Sequence, residues 1–356
     1  MQTRSCKLRI YFMQIEKLKE ILANNGEPKF RLSQIQKAIY QDGVSAFLEI
    51  STISKYLRKL LEKEMKFLSF KVEKILVSKN QNSIKVLLKL SDGNKIETVL
   101  LSPMKNKWSV CVSSQVGCAL NCVFCATGKG GFQRNLTTEE IADQVLFWKQ
   151  FIKKNKIKGK ISNVVYMGMG EPFLNWKEVK KSLQNLIELN LFGFGARSIS
   201  VSTAGIPEGI LNLAKNFPQV NLAISLHFVR NDLRSRFMPI NKIYDLQLLS
   251  KSLEEYFKKC NRKVFLEYIL IKNINDKISD AEELASFVAS FSKKNLLHIN
   301  LIRGNFTEGK LKPSPFFQIE EFRKYLERKG VSVTVRKSVG EDIQGACGQL
   351  AGKVSF

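Results

Sequence analysis

Residues 117–128 read GCALNCVFCATG, and the reading of the whole chain turns on them. Cys118, Cys122 and Cys125 stand in the spacing C-x3-C-x2-C. Three thiolates so placed can wrap one iron–sulfur cluster while leaving one iron of a four-iron cubane open to a further ligand. A zinc site ordinarily takes a fourth Cys or His close by, and none follows at finger spacing. Gly117, Asn121 and Gly128 suit a loop rather than a helix face, so three cysteines packed in a core is the poorer explanation.

The composition frames this loop. The chain has 356 residues, enough for one large domain and a smaller one. Only two histidines occur, so chemistry has to lean on cysteine, carboxylate or a cofactor. Lys and Arg number 57 against 32 Asp and Glu, a net charge of +25. Such an excess points to a polyanionic partner, although a Lys-rich solubility surface would produce it too. No apolar run approaches the roughly 18 residues of a membrane-spanning helix. The opening MQTRSCKLRIYF carries no apolar segment of a secretory leader. A cytoplasmic location is expected, where the seven cysteines stay reduced and read as ligands or catalytic thiols.

Outward from the cysteine loop, the pattern changes once. Residues 1 to about 65 read as helical, with Phe30, Leu32, Ile35, Ala38 and Ile39, then Tyr56, Leu57, Leu60 and Leu61, at helical spacing. Residues 66–102 read as short antiparallel strands with turns at Asn80–Asn82 and Asp92–Asn94. Residues 1–102 are therefore expected to form an accessory domain, and 103–356 the main one. From about residue 105, strands alternate with helices: WSVCVSS, a helix opened by a Thr137/Glu140 capping box, then NVVYMGMG, SISVSTAG, NLAISLH, VFLEYILI, LHINLI and VSVTVRKS with helices between. The expectation is an α/β fold with a parallel sheet, six main βα units suiting a partial, open (βα)6 TIM-like barrel.

In such barrels the active site gathers at the C-terminal strand ends. Those ends carry Gly168, Gly170 and Glu171 (MGMGEP), Ser202 and Thr203 (STAG), Ser225 and His227 (SLH), and Asn305 (LIRGN). Each alone could be an ordinary loop residue, but their repetition suits a small polar cofactor. His298 reads as structural, and Cys6 and Cys260 as bystanders. Cys111 lies seven residues before the cluster, and Cys347 lies in the glycine-rich run GEDIQGACGQLAG, unlike a core strand.

With Phe124 just before the last cysteine, the triad resembles the radical S-adenosylmethionine (radical-SAM) superfamily. The longer segments CVSSQVGCALNCVFCATGKGGFQRNLT (111–137), VVYMGMGEPFLN (164–175), LAISLH (222–227) and VRKSVGEDIQGACGQLAG (335–352) are similar, in order, to the RlmN family. The resemblance implies a radical-SAM barrel and a dual-specificity methyltransferase acting on carbon 2 of an adenine in 23S rRNA and in tRNA. It implies that Cys118, Cys122 and Cys125 hold a 4Fe-4S cluster, that Gly170, Glu171, Ser202, Ser225, Leu226, His227 and Asn305 contact S-adenosylmethionine, and that two such molecules serve each turnover. It further implies that Cys347 carries the methyl group, that Cys111 resolves the covalent adduct through a transient Cys111–Cys347 disulfide, and that Glu97 in IETV is the proton acceptor. An electron donor such as flavodoxin or ferredoxin, and a monomeric state, go with it.

The chain departs from the RlmN pattern at Phe306, after Asn305, and at Phe228 and Val229, after SLH, where proline is usual. Leu301–Arg303 resembles the Cfr branch, which methylates carbon 8 of the same adenine, whereas SQVGC, GFQRNLT and Pro172 after Glu171 read like RlmN. An RNA-binding protein with a merely structural cluster would leave Cys111 and Cys347 without a task. A sulfur-inserting radical enzyme would ordinarily need a second cysteine triad, which the sequence lacks. The basic stretches KYLRKLLEKEMK (55–66) and KKNKIKGK (153–160) are candidate phosphate contacts, and equally solvated helix faces.

Overall fold

The computed structural model describes residues 13–305, 311–336 and 338–352. Cys6 and Phe306 lie outside them. Twelve strands run in chain order: β1 (Phe70–Val77), β2 (Ser83–Leu90), β3 (Lys95–Met104), β4 (Lys107–Cys111), β5 (Gln115–Gly117), β6 (Phe132–Asn135), β7 (Lys160–Tyr166), β8 (Ile199–Thr203), β9 (Asn221–Ser225), β10 (Val264–Leu270), β11 (Leu297–Arg303) and β12 (Val333–Arg336). The α-helices are α1 (Met13–Asn24), α2 (Phe30–Gln36), α3 (Lys55–Glu64), α4 (Ala126–Lys129), α5 (Thr138–Lys154), α6 (Trp176–Ile187), α7 (Pro207–Asn216), α8 (Asn231–Phe237), α9 (Leu246–Lys259), α10 (Ile278–Ala289) and α11 (Phe316–Arg328).

Ten strands make one sheet in the order β1-β2-β3-β4-β7-β8-β9-β10-β11-β12. From β4 onward every pair is parallel. Each new strand is laid beside its predecessor and the order never reverses. That is the progression of a barrel rather than of a doubly wound sheet. Among the described residues the sheet stays open, with β1 and β12 at its edges. The expected partial barrel is thus present, with β12 as a seventh parallel strand. One element escaped the sequence reading: β5 and β6 pair as a small antiparallel ladder on either side of the cysteine loop.

The accessory strands do not stand apart. β3 pairs antiparallel with β4, Val99 opposite Cys111, so the N-terminal ladder continues the barrel sheet. The expected turns are there: Asn80 Oδ1 accepts from Asn82 N–H and Asp92 Oδ1 from Asn94 N–H. The capping box at Thr137 and Glu140 forms as read. The helical spacing of the first region holds for Ile35, Leu57 and Leu61, which are fully buried, but Phe30 and Tyr56 point outward and are exposed.

Helix α5 joins the two regions. Trp148 Nε1 donates to Thr98 Oγ1 on β3 at 3.0 Å. Buried Asp143 accepts from Ser69 N–H at 2.9 Å. Burial raises the Asp143 carboxyl from 3.8 to about 7, against the lowering effect of the Ser69 hydrogen bonds. The folded form therefore keeps this proton up to about pH 7, while the unfolded chain releases it near 3.8. The stability it contributes is fully present below about pH 4 and is lost as pH rises to 7. Asp143→Asn should abolish that loss: its urea midpoint should exceed the parent's at pH 7 and fall less steeply between pH 4 and 7. Parallel pH profiles would show that Asp143 is ionised throughout.

Candidate active site

The cysteine loop leaves the sheet after β4 and is held on both flanks. Cys118 N–H donates to Gly131 O at 2.9 Å, and Val123 N–H donates to Phe237 O at 2.9 Å. Gly117 has φ +73°, and a Cβ there would stand 1.8 Å from Gly131 O, so glycine alone permits this closure. Burial pushes the Cys118 thiol up to about 12 and raises Cys122 further still; Cys125 raises both, so the three sulfurs lie in one another's fields. Among the described residues no three Cys, His, Asp or Glu side chains converge as ligands of a single metal ion would. A cubane makes a different demand, one thiolate to each of three irons.

Beneath the loop sits a residue that sequence reading did not single out. Arg234 is fully buried with no carboxylate partner. Its Nη2 donates to Ala204 O at 2.6 Å and to Ser225 O at 3.4 Å, its Nε to Leu226 O at 3.2 Å, and its Nη1 to Asn241 Oδ1 at 2.8 Å. One guanidinium thus ties the ends of β8 and β9 together. Burial brings it down to about 10, and its charge favours the Cys122 thiolate.

The strand ends named from the sequence do gather here. Glu171 is buried, its Oε2 accepting from Ala204 N–H at 2.7 Å and its Oε1 from Phe173 N–H at 3.0 Å. Burial lifts its carboxyl to about 7 against those bonds. A carboxylate has about four lone-pair sites, so acceptor capacity remains for a bound ammonium. Gly170, φ +96°, lies so close to Gln115 that a Cβ would meet its side chain at 2.5 Å. Gln115 Oε1 in turn accepts from Glu171 N–H at 2.8 Å. Ser202 Oγ and Ser225 Oγ lie 3.5 Å apart. Leu226 contributes its backbone, its side chain being core. His227 adopts φ +58° and its Nδ1 accepts from Ile269 N–H at 3.2 Å, leaving Nε2 to carry the proton. Burial, with Arg234, lowers the ring to about 3, so it is neutral. The ring meets Phe124 edge-on at 5.0 Å, joining the β9 end to the cysteine loop. Among the described residues, buried Asn305 Oδ1 has no hydrogen-bond partner, an open acceptor just past the β11 end. An orphaned amide oxygen past β11, paired hydroxyls at the ends of β8 and β9 and a glycine approach after β7 stand at the same end of one sheet, and that donor and acceptor set fits a small polar cofactor.

The two distant cysteines also come within one another's electrostatic reach. Cys111 ends β4. Burial pushes its thiol up to about 12, Cys347 pushes it further up, and Arg336 acts the other way. Cys347 keeps solvent-exposed surface, yet protein atoms crowd it enough to raise its thiol; Arg336 opposes that shift, and Cys125 lies within range. Arg336 is itself paired with buried Glu267 at 3.0 Å. Residues 340–352 are fastened on both sides. Gly348 O and Leu350 O accept from Ala126 N–H (2.7 Å) and Thr127 Oγ1 (2.6 Å) of α4. Asp342 Oδ2 accepts from Lys79 N–H at 2.8 Å.

Glu97 is a centre of this fastening. It is buried and ion-paired to buried Lys85 at 2.7 Å. Its Oε2 accepts from Ala351 N–H at 2.6 Å and Gly352 N–H at 3.0 Å. Lys85 Nζ also donates to Gln344 O at 3.1 Å. The pair therefore closes the base of the Cys347 loop from both sides. Of the remaining residues read from sequence, Cys260 packs in the core with its Sγ 3.8 Å from Ala214 O, and His298 is held by Ser332 and Thr334 hydroxyls. Lys85→Met would strand a buried carboxylate, and a loss of roughly 3–5 kcal/mol is expected. Lys95→Met, which breaks an exposed pair with Glu73, should cost at most about 1 kcal/mol. Urea unfolding of both variants checks this; equal losses would show that the buried pair does not hold the loop.

Comparison with known proteins agrees with this geometry. The profile described as "Radical SAM superfamily" matches residues 112–288, and that described as "Ribosomal RNA large subunit methyltransferase N-terminal domain" matches residues 10–66. A protein of Dictyoglomus turgidum, "Probable dual-specificity RNA methyltransferase RlmN", is 42% identical over 96% of this chain and 96% of its own. "Ribosomal RNA large subunit methyltransferase Cfr" of Bacillus velezensis is 38% identical over 94% of this chain and 95% of its own. A radical SAM methyltransferase from Sphaerobacter thermophilus superposes with a TM-score of 0.88 at 36% identity, over 95% of this chain and 98% of that one. The family brings with it a 4Fe-4S cluster and S-adenosylmethionine. On its cysteine loop, its strand ends and its full-length likeness, the chain belongs to the RlmN/Cfr family of radical-SAM RNA methyltransferases.

Proposed function

We propose that this protein methylates carbon 2 of an adenine in 23S rRNA and in tRNA. The observation that carries the reading is the docking of the Cys347 segment on the cysteine loop, Gly348 O and Leu350 O accepting from Ala126 N–H and Thr127 Oγ1, which brings Cys347 within electrostatic reach of Cys111 and Cys125. The target carbon is an electron-poor sp² centre and no nucleophile, so a polar transfer of a methyl cation to it fails. Bound to Cys118, Cys122 and Cys125, and to Gly170, Glu171, Ser202, Ser225, Leu226, His227 and Asn305, the cluster and S-adenosylmethionine supply the methyl group and the one-electron chemistry.

The chain's own groups do the rest. Cys347 Sγ takes the methyl group and becomes the tether between protein and base. Glu97 accepts the ring proton; three of its lone-pair sites are engaged by Lys85, Ala351 and Gly352, which orients the carboxylate. Cys111 Sγ then attacks Cys347 Sγ: the sulfur–sulfur bond forms as the bond from Cys347 Sγ to the methylene carbon breaks, the proton given up by the Cys111 thiol is made good on that carbon so that the base leaves with a methyl group, and the disulfide is reduced before the next turnover. The adenine has to be extruded from its RNA fold to reach these groups. The net charge of +25 suits phosphate contacts, with residues 1–102 as an accessory RNA-binding domain. A flavodoxin- or ferredoxin-like electron donor, a cytoplasmic location and a monomeric state complete the proposal. No helix of the described residues is long and apolar enough to cross a membrane.

The second reading is carbon-8 methylation, favoured by the likeness to Cfr over most of the chain. Anaerobic turnover of reconstituted protein with S-adenosylmethionine, reductant and unmodified 23S rRNA fragment or tRNA separates the two. Mass spectrometry is expected to find 2-methyladenosine in both RNAs. 8-Methyladenosine would move the protein to the Cfr reading, and no product despite cofactor cleavage would overturn the substrate assignment. Cys347→Ala should lose product and keep RNA binding. Cys111→Ala should leave RNA covalently attached to the protein, as a nuclease-sensitive shift on a denaturing gel; release of free product at the parental rate would remove Cys111 from the scheme.

A further inference from the structure

The rim beyond β11 exposes two adjacent phenylalanines that the fold does not use. Phe316 and Phe317 open α11 and are 68% and 66% exposed. Arg303, Lys272 and Lys312 stand on one side of them, and Glu320 and Glu321 one turn along α11, where Glu320 is paired with Arg323. The Arg303 guanidinium lies 4.8 Å from the Phe316 ring centroid, and its Nε is buried without a hydrogen-bond partner. Exposed Lys272 and Lys312 are brought side by side by the bridge between Ile271 and Pro313 and by Lys272 N–H donating to Lys312 O at 2.9 Å. The segment is held firmly: Ser314 Oγ donates to Asp276 Oδ2 at 2.7 Å and Gln318 Nε2 to Asp276 O at 2.9 Å. Arg303 directly follows Ile302, the register partner of Arg336, whose charge acts on Cys347. Successive strand residues face opposite ways, so the patch lies at the same end of β11 as Arg336 but on the helix side of the sheet.

We propose that Phe316, Phe317 and Arg303 form a stacking platform for unpaired nucleotides flanking the extruded adenine, with Lys272 and Lys312 on their phosphates. The proposal rests on the RNA-methylation reading and adds the surface that receives the substrate. Unpaired bases stack on aromatic rings and guanidinium planes, and their backbone attracts cations. A second copy of this chain fits poorly. Two phenylalanines offer on the order of 300 Å² of apolar surface, well short of the roughly 800 Å² per partner of a stable interface.

The test compares the reconstituted parent with Phe316→Ala/Phe317→Ala, Phe316→Leu/Phe317→Leu and Phe316→Tyr/Phe317→Tyr. The probes are the unmodified 23S rRNA fragment and a single-stranded oligoadenylate, read by fluorescence anisotropy beside cofactor cleavage and sedimentation. The Ala and Leu pairs should bind both RNAs at least fivefold more weakly, the low end for one lost base stack. The Tyr pair should bind as the parent does, and cofactor cleavage should stay at the parental level in all. Lys272→Gln and Lys312→Gln should each lower the slope of log affinity on log salt by about 0.7. Parental affinity in the Ala pair, with parental methylation intact, would overturn the platform alone. Leu binding as well as Tyr would show a greasy cover rather than stacking. A change of oligomeric state in the Ala pair would make the patch a self-interface. Failure of the parent to bind either RNA would overturn both the platform and the methylation reading.

Discussion

The buried ion pair of Lys85 and Glu97 is the contact on which the site's assembly depends. Two charges withdrawn from water cost more than their mutual attraction returns unless their remaining donors and acceptors are also satisfied. Here they are satisfied by the backbone of the cysteine-bearing C-terminal segment, Gln344 O on one side and Ala351 and Gly352 N–H on the other. The pair and the segment therefore need each other. Lys85 and Glu97 sit diagonally on neighbouring strands, Lys85 opposite Val99 and Glu97 opposite Leu87, so they share a face of the ladder. The N-terminal strands thus serve as the anvil on which the Cys347 loop is formed.

The same logic runs through the rest of the site. Arg234 spends its donors on backbone carbonyls at the ends of β8 and β9, and so fixes where Ser225, Leu226 and Ala204 stand. Glu171 holds the opposite backbone groups, the N–H of Ala204 and Phe173. Between them a cation and a carboxylate set the rim without touching each other. His227 is locked as a neutral ring by Ile269 N–H and by burial, and Phe124 against it keeps the cysteine loop in register with the rim. What is left unpaired is specific: Asn305 Oδ1 at the rim. A buried acceptor without a donor is costly, and this one stands just past the C-terminal end of β11.

Arg336 links two functions. Its charge lowers the cost of ionising both Cys111 and Cys347, and its partner Glu267 is held in turn by Asn300 Nδ2 at 2.9 Å. Thr334 Oγ1 donates to Asn300 Oδ1, and His298 Nε2 meets that hydroxyl. The histidine read as structural from its place in a strand is therefore the outer end of a polar chain that leads through Glu267 to Arg336, whose charge acts on Cys111 and Cys347.

Much of this molecule was legible in one dimension, because its signals are local. The spacing of Cys118, Cys122 and Cys125, the alternation of strands and helices, the capping box at Thr137 and the turns at Asn80 and Asp92 depend on residues a few positions apart. Hydrogen-bond reach and backbone geometry convert such spacings directly into structure. Other features are properties of distance in space. Lys85 stands 259 residues from Gln344, and no spacing rule couples them. Nothing in the sequence sets Arg234 apart from the other cations, and only the fold buries it. Phe30 and Tyr56 matched a helical period but face outward, since a period identifies a stripe without saying which stripe meets a partner. Sequence by itself determined the cluster, the fold class and the family. Only the tertiary structure decided which charges are buried, which acceptors are left open and how two distant cysteines come to share one charge field, because each depends on what the remainder of the chain packs against it.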